Sequence, residues 1–109
     1  MKAFLVALTV LVITVCAVTL NDVYLSDVCS DIIKITDTGT RESAEAALEK
    51  FDKNELLLKN SVDNGYVIEA RISLESLIAA YDLEDEYEIE RYIKDIRIRV
   101  TRVKKALFI

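Results

Sequence analysis

The chain has 109 residues, a formal net charge of −5 from 19 acidic and 14 basic side chains, no His, Trp or Pro, and two Gly. That length supports one domain at most, and the missing His removes the commonest acid–base and metal-binding side chain. Without Pro and nearly without Gly the chain has little loop punctuation, so it reads as long helices joined by short turns, a poor start for enzyme chemistry.

Residues 3–20 carry no charge. At about 1.5 Å per residue this run reaches roughly 27 Å, just long enough for a hydrocarbon core about 30 Å thick. Lys2 and the N-terminal amine flank it on one side, whereas Asp22, Asp27 and Asp31 precede the first basic residue, Lys34, on the other. That asymmetry predicts a cytoplasmic N-terminus and an extracytoplasmic C-terminal domain in a single-pass cell-membrane protein. The competing reading is a secretory signal peptide cut near Val15-Cys16-Ala17. Against it, the apolar run is longer than the usual core of a signal peptide, and Leu25, Val28, Ile32 and Ile35 continue past the cut at helical spacing. A lipid-modified Cys16 is disfavoured because Val15 stands where a small residue is needed. The division expected is a transmembrane anchor over residues 1–20, a juxtamembrane helix over 21–38, and a helical hairpin domain over 39–109.

The two cysteines, Cys16 and Cys29, fall on one predicted helix about 20 Å apart along its axis, so they cannot pair with each other. Cys16 suits a small apolar membrane position. Cys29 lies beyond the span, either as a half-buried free thiol or as a candidate for an intermolecular disulfide between two copies.

Thr36-Asp37-Thr38-Gly39-Thr40 is the first helix breaker, with Thr40 placed to cap a second helix that runs to about Ser61. Its apolar face is Ala44, Leu48, Phe51, Leu58 and Val62, interrupted by Glu55. Val62-Asp63-Asn64-Gly65 is the second breaker, and Val67, Ala70, Leu74, Leu77 and Tyr81 mark a third helix. After the acidic corner Asp82-Leu83-Glu84-Asp85, Ile89, Ile93, Ile96, Val100, Val103 and Leu107 form the most regular stripe, alternating steps of four and three. A β reading competes locally: Asn64-Gly65 resembles a hairpin turn, and Ile96-Arg97-Ile98-Arg99-Val100 alternates with period two. The helical stripes are longer than ordinary strands and take precedence. The predicted fold class is therefore all-α, an N-terminal transmembrane helix continuing into a small up-and-down antiparallel bundle.

Charge is divided along the chain. Residues 21–90 hold 18 acidic and 6 basic side chains, and residues 91–105 hold seven basic and one acidic. The last helix therefore complements its acidic neighbours, or alternatively anionic head groups, with Lys104, Lys105 and Phe108 as candidate head-group contacts. Nucleic acid is not an expected partner, for the chain supplies no recognised binding module and the domain is placed outside the cell. A search for a nucleophile with a base, a phosphate-binding loop or ligand-spaced cysteines finds none. The acids Asp82, Glu84, Asp85, Glu86 and Glu88 lack the mid-loop Gly and spacing of a calcium loop, and read better as a solvated helix corner. No catalytic residue, metal or cofactor is assigned.

The opening Met1-Lys2-Ala3-Phe4, the single apolar helix running into an amphipathic one, the helix over residues 67–81 and the ending Lys104-Lys105-Ala106-Leu107-Phe108-Ile109 together resemble the domain of unknown function 4363 family, small membrane-anchored proteins of Gram-positive bacteria. The resemblance extends over nearly the whole chain and is diffuse. It implies the same architecture and carries no catalytic residues. Two readings of function follow. One is a noncatalytic interaction or structural component of the cell envelope, in contact with the lipid bilayer and with another envelope protein or a second copy of itself. The other is a secreted soluble helical binding module released by signal-peptide cleavage.

Overall fold

A computed structural model describes residues 1–108; Ile109, the last residue of the C-terminal stretch quoted above, lies outside the described residues. Four helices follow one another, α1 (Lys2–Asp37), α2 (Arg41–Ser61), α3 (Asn64–Asp82) and α4 (Glu86–Ala106). With no Gly or Pro before Gly39, nothing interrupts α1, and the segments expected as anchor and juxtamembrane helix are one rod of 36 residues. It accounts for most of the 67 Å length of a molecule only 22 Å and 16 Å across.

The turns work as their residues dictate. Gly39 takes φ +81° and its N–H donates to Thr36 O, ending α1. Thr40 then caps α2 reciprocally with Ser43, each side chain accepting from the other's backbone N–H. Asp63 caps α3 by accepting from Gly65 N at 2.8 Å, so Asn64-Gly65 opens a helix and forms no hairpin turn. At the far corner Glu84 adopts the left-handed conformation, φ 53°. Its N–H donates to Tyr81 O and that of Asp85 to Ala80 O, a Schellman closure of α3. Asp85 also caps α4, accepting from Glu88 N.

The helices run up, down, up and down, each packed on its chain neighbours, with α4 closing the ring against α1. The core is layered from Leu25, Val28 and Ile32 of α1, Ala44, Phe51 and Leu58 of α2, Val67, Leu74 and Leu77 of α3, and Ile96, Val100 and Val103 of α4. Residues 21–37 of α1 thus supply one of the four walls of the bundle. Burying each larger aliphatic side chain contributes about 1.5 to 3 kcal/mol. The predicted stripes hold with shifts at their edges. Leu48, Val62, Tyr81, Ile89 and Ile93 are half-buried at the rim, while Ala47, Asn54, Ser73 and Ala80 are fully inside.

Asn54 explains the apparent break in the α2 stripe. The inward face passes through Asn54 and not through Glu55, and the amide is satisfied twice. Its Oδ1 accepts from Tyr24 Oη at 2.8 Å and its Nδ2 donates to Lys50 O at 2.8 Å. Glu55 instead lies at the helix edge, paired with Arg71 and Lys59.

Candidate functional site

The first surface with functional meaning is the exposed half of α1. It is long and apolar enough to cross a membrane, and its apolar stretch is entirely unburied by the rest of the chain. The three threonines in this stretch bond inward: Thr9, Thr14 and Thr19 donate their hydroxyls to the carbonyls of Leu5, Val10 and Val15 at 2.8, 2.8 and 2.9 Å. A hydroxyl satisfied within its own helix is compatible with hydrocarbon, where no water replaces the bond.

The second surface is the end of the bundle next to that helix. Asn21 Nδ2 donates to Ser61 Oγ at 3.1 Å, which places the α2–α3 turn level with the first residue after the apolar stretch. The end of α4 comes down beside the start of α3, and Tyr66, Arg102, Lys105 and Ala106 line one open groove there. Lys105 is exposed and Phe108 is 62% exposed. Lys104 differs from both: it is half-buried and its ammonium donates to Ser30 Oγ at 2.8 Å, back along α1. The side chain leans toward the N-terminus of α4, as helical side chains do.

Cys29 is 1% exposed, packed among the core residues of α1 and its neighbours. Burial pushes its thiol up to about 11, with Lys104 pulling weakly the other way. While the bundle is closed, its sulfur is out of reach of a second copy. Cys16 lies exposed on the apolar half of α1.

The charge division of the sequence becomes a set of ion pairs around the ring. Lys50 meets Asp31 at 2.9 Å across α1 and α2; Arg71 meets Asp52 and Glu55 across α2 and α3. Arg99 meets Glu69 at 3.0 Å across α3 and α4, and Arg97 meets Asp37 across α4 and α1. Each of the four interfaces carries at least one bridge. Exposed pairs contribute little individually, but wrong registers separate them or juxtapose like charges. The hydrogen bond and charge of Lys50 hold the Asp31 carboxyl below the usual carboxylate range.

The acidic corner is the tip of the bundle farthest from the apolar half of α1. Asp82 pairs with Arg41 at 2.6 Å, Asp85 caps α4 and Glu88 pairs with Arg91, so these acids hold the corner together. Among the described residues no cluster of His, Cys, Asp or Glu has the geometry to hold a metal ion. A feature the stripe analysis did not single out is the exposure of Leu83 and Tyr87 at this tip, 79% and 75%. Their one signal was negative, a pair of apolar side chains left off every stripe.

An open groove of about 720 Å³ follows α3 and α4, lined by Ile72, Ser73, Tyr87, Asp95, Ile98 and Arg99 among others. Three of its polar groups serve one another: Ser73 donates to Asp95, and Asp95 accepts from Arg99. No family model, curated protein or solved structure matches the chain.

Proposed function

We propose that this protein is a single-pass envelope protein whose α1 crosses the cell membrane from a cytoplasmic N-terminus and holds a noncatalytic helical bundle against the outer surface, where it serves as an interaction or structural component. The observation that carries this reading is the division of one unbroken helix into an apolar half that nothing in the chain covers and an amphipathic half built into the core. Leaving so much apolar surface in water is unfavourable, and a bilayer removes the cost. The acidic residues following the span, with Lys2 before it, support the orientation. The absence of His and the commitment of Asp95, Arg99 and Glu69 of the groove to one another support a role without catalysis.

A secreted module is the second reading, favoured by one specific feature: the core begins at Leu25, so a cut after Ala17 leaves every bundle residue in place. The mass of the mature protein separates the two. An intact chain retained in membranes after alkaline carbonate washing is the expected result. A soluble product that has lost its first 17 or so residues overturns the anchor.

A further inference from the structure

The inference rests on the anchor reading and concerns what the bundle does where it meets the bilayer. Because α1 passes from its exposed half into the bundle without a break, no linker separates the two. The register of the span therefore sets the height of the bundle. With residues 3–20 in hydrocarbon, Asn21 enters the head-group layer, which adds roughly 5 to 7 Å on each side of the core. The Asn21–Ser61 hydrogen bond brings the α2–α3 turn to the same height. At about 1.5 Å per residue, Leu57 lies roughly 6 Å above Ser61, inside that layer, and Leu56 at roughly 8 Å lies just beyond it.

The side chains at this end suit that depth. Leu57, Tyr66 and Phe108 are exposed there. Arg102 and Lys105 flank Tyr66 in one groove, are exposed, and meet no carboxylate among the described residues, whereas Arg91, Arg97 and Arg99 on the same helix are all paired. Aromatic residues beside unpaired basic ones are the composition favoured at a membrane–water interface. Asp22, Asp27 and Asp63 lie at the same end, so the surface bears both signs. The phosphate common to zwitterionic and anionic lipids fits it better than a purely anionic leaflet.

We propose that the membrane-proximal end of the bundle is a lipid-docking surface, with Leu57, Tyr66 and Phe108 in the head-group layer and Arg102 and Lys105 holding lipid phosphates beside Tyr66. Lys104 stands outside it, committed to Ser30. Docking closes this end to proteins and leaves the sides of the bundle and the distal tip, with Leu83 and Tyr87, as the surfaces open to a partner.

The chain has no Trp, so single-Trp reporters in the full-length protein read depth directly. Val12→Trp, Leu57→Trp, Phe108→Trp and Leu83→Trp are reconstituted separately into phosphatidylcholine vesicles carrying a nitroxide either on the head group or deep in the acyl chain. The acyl-chain nitroxide is expected to quench Val12→Trp, and the head-group nitroxide to quench Leu57→Trp and Phe108→Trp, with Leu83→Trp quenched by neither. Because the span sets the depth, the two cations are read by contact: with carbon-13 at every Arg Cζ and Lys Cε, dephasing by the phosphorus-31 of the lipid is expected in the reconstituted parent and is expected to fall by more than half in the Arg102→Gln, Lys105→Gln chain at unchanged helicity. If Val12→Trp is quenched while Leu57→Trp and Phe108→Trp behave as Leu83→Trp does, the bundle stands clear of the lipid and the docking proposal falls with the anchor intact. Failure to quench Val12→Trp overturns the anchor itself. Undiminished dephasing in the charge-neutralised chain overturns the assignment of the two cations to lipid phosphate.

Discussion

At the scale of the residue, Cys29 shows how burial changes chemistry. With its thiol raised from 9.0 to about 11, it carries roughly a hundredfold fewer thiolates at neutral pH than an ordinary cysteine. In a Cys16→Ala chain, iodoacetamide is expected to label Cys29 only as fast as the bundle opens, and rapidly in denaturant; rapid labelling of the folded protein would contradict its burial. The same shift links stability to pH. The folded state keeps the proton that the unfolded state releases above 9, so this contribution is whole below pH 9 and is lost as pH rises toward 11. Thermal melts are expected to show a smaller alkaline decline for Cys29→Ala than for the parent, the remainder coming from groups such as Tyr81, which burial also raises. Glu84 is the other telling residue, a side chain held at φ 53° where Gly is the usual occupant. Glu84→Gly is expected to stabilise the bundle by about 1 kcal/mol in denaturant unfolding, and a loss would mean the carboxylate holds the corner by a contact beyond its backbone.

At the scale of the element, the stripes were legible because each helix must bury one face, and period 3.6 leaves few ways to do so. The face of α2 was misleading at Glu55 because a polar residue, Asn54, completes it. A sequence shows that Asn54 is polar, but the partner that makes its burial tolerable, Tyr24 on another helix, is thirty positions away. The same geometry orders the cost of truncation. Phe51→Ala, Leu74→Ala and Ile96→Ala, all fully buried, are expected to cost about 2 to 5 kcal/mol each. Ile93→Ala, at the rim, is expected to cost less than any of them, while Lys53→Ala and Glu75→Ala stay within about 0.5 kcal/mol. Equal losses for buried and exposed positions in chemical denaturation would refute this assignment of faces.

At the scale of the whole molecule, the continuity of α1 joins two environments in one rigid element. With an even number of helices the chain returns to the level at which it left the apolar half, so both the α2–α3 turn and the end of α4 arrive beside it. Protease added to protoplasts is expected to digest the domain beyond about Asn21 while sparing the span. Protection in intact protoplasts with digestion after lysis would reverse the orientation. The ring of interhelix pairs adds a salt dependence: Lys50→Met is expected to change stability by less than about 1 kcal/mol, its pairing with Asp31 being open to solvent.

The sequence by itself determined the four helices, the breakers at Gly39 and Val62 to Gly65, the Thr40 cap, and the apolar run of residues 3–20. These depend on interactions within a few residues, which any segment carries with it. Tertiary packing decided what those local signals leave open. It drew residues 21–37 into the core, sealed Cys29 inside, turned Lys104 toward Ser30 while leaving Lys105 and Phe108 exposed, and gave the gap in the α2 stripe to Asn54. Each of those outcomes depends on which faces of distant helices meet, and periodicity along one helix specifies that a face is buried without specifying what covers it.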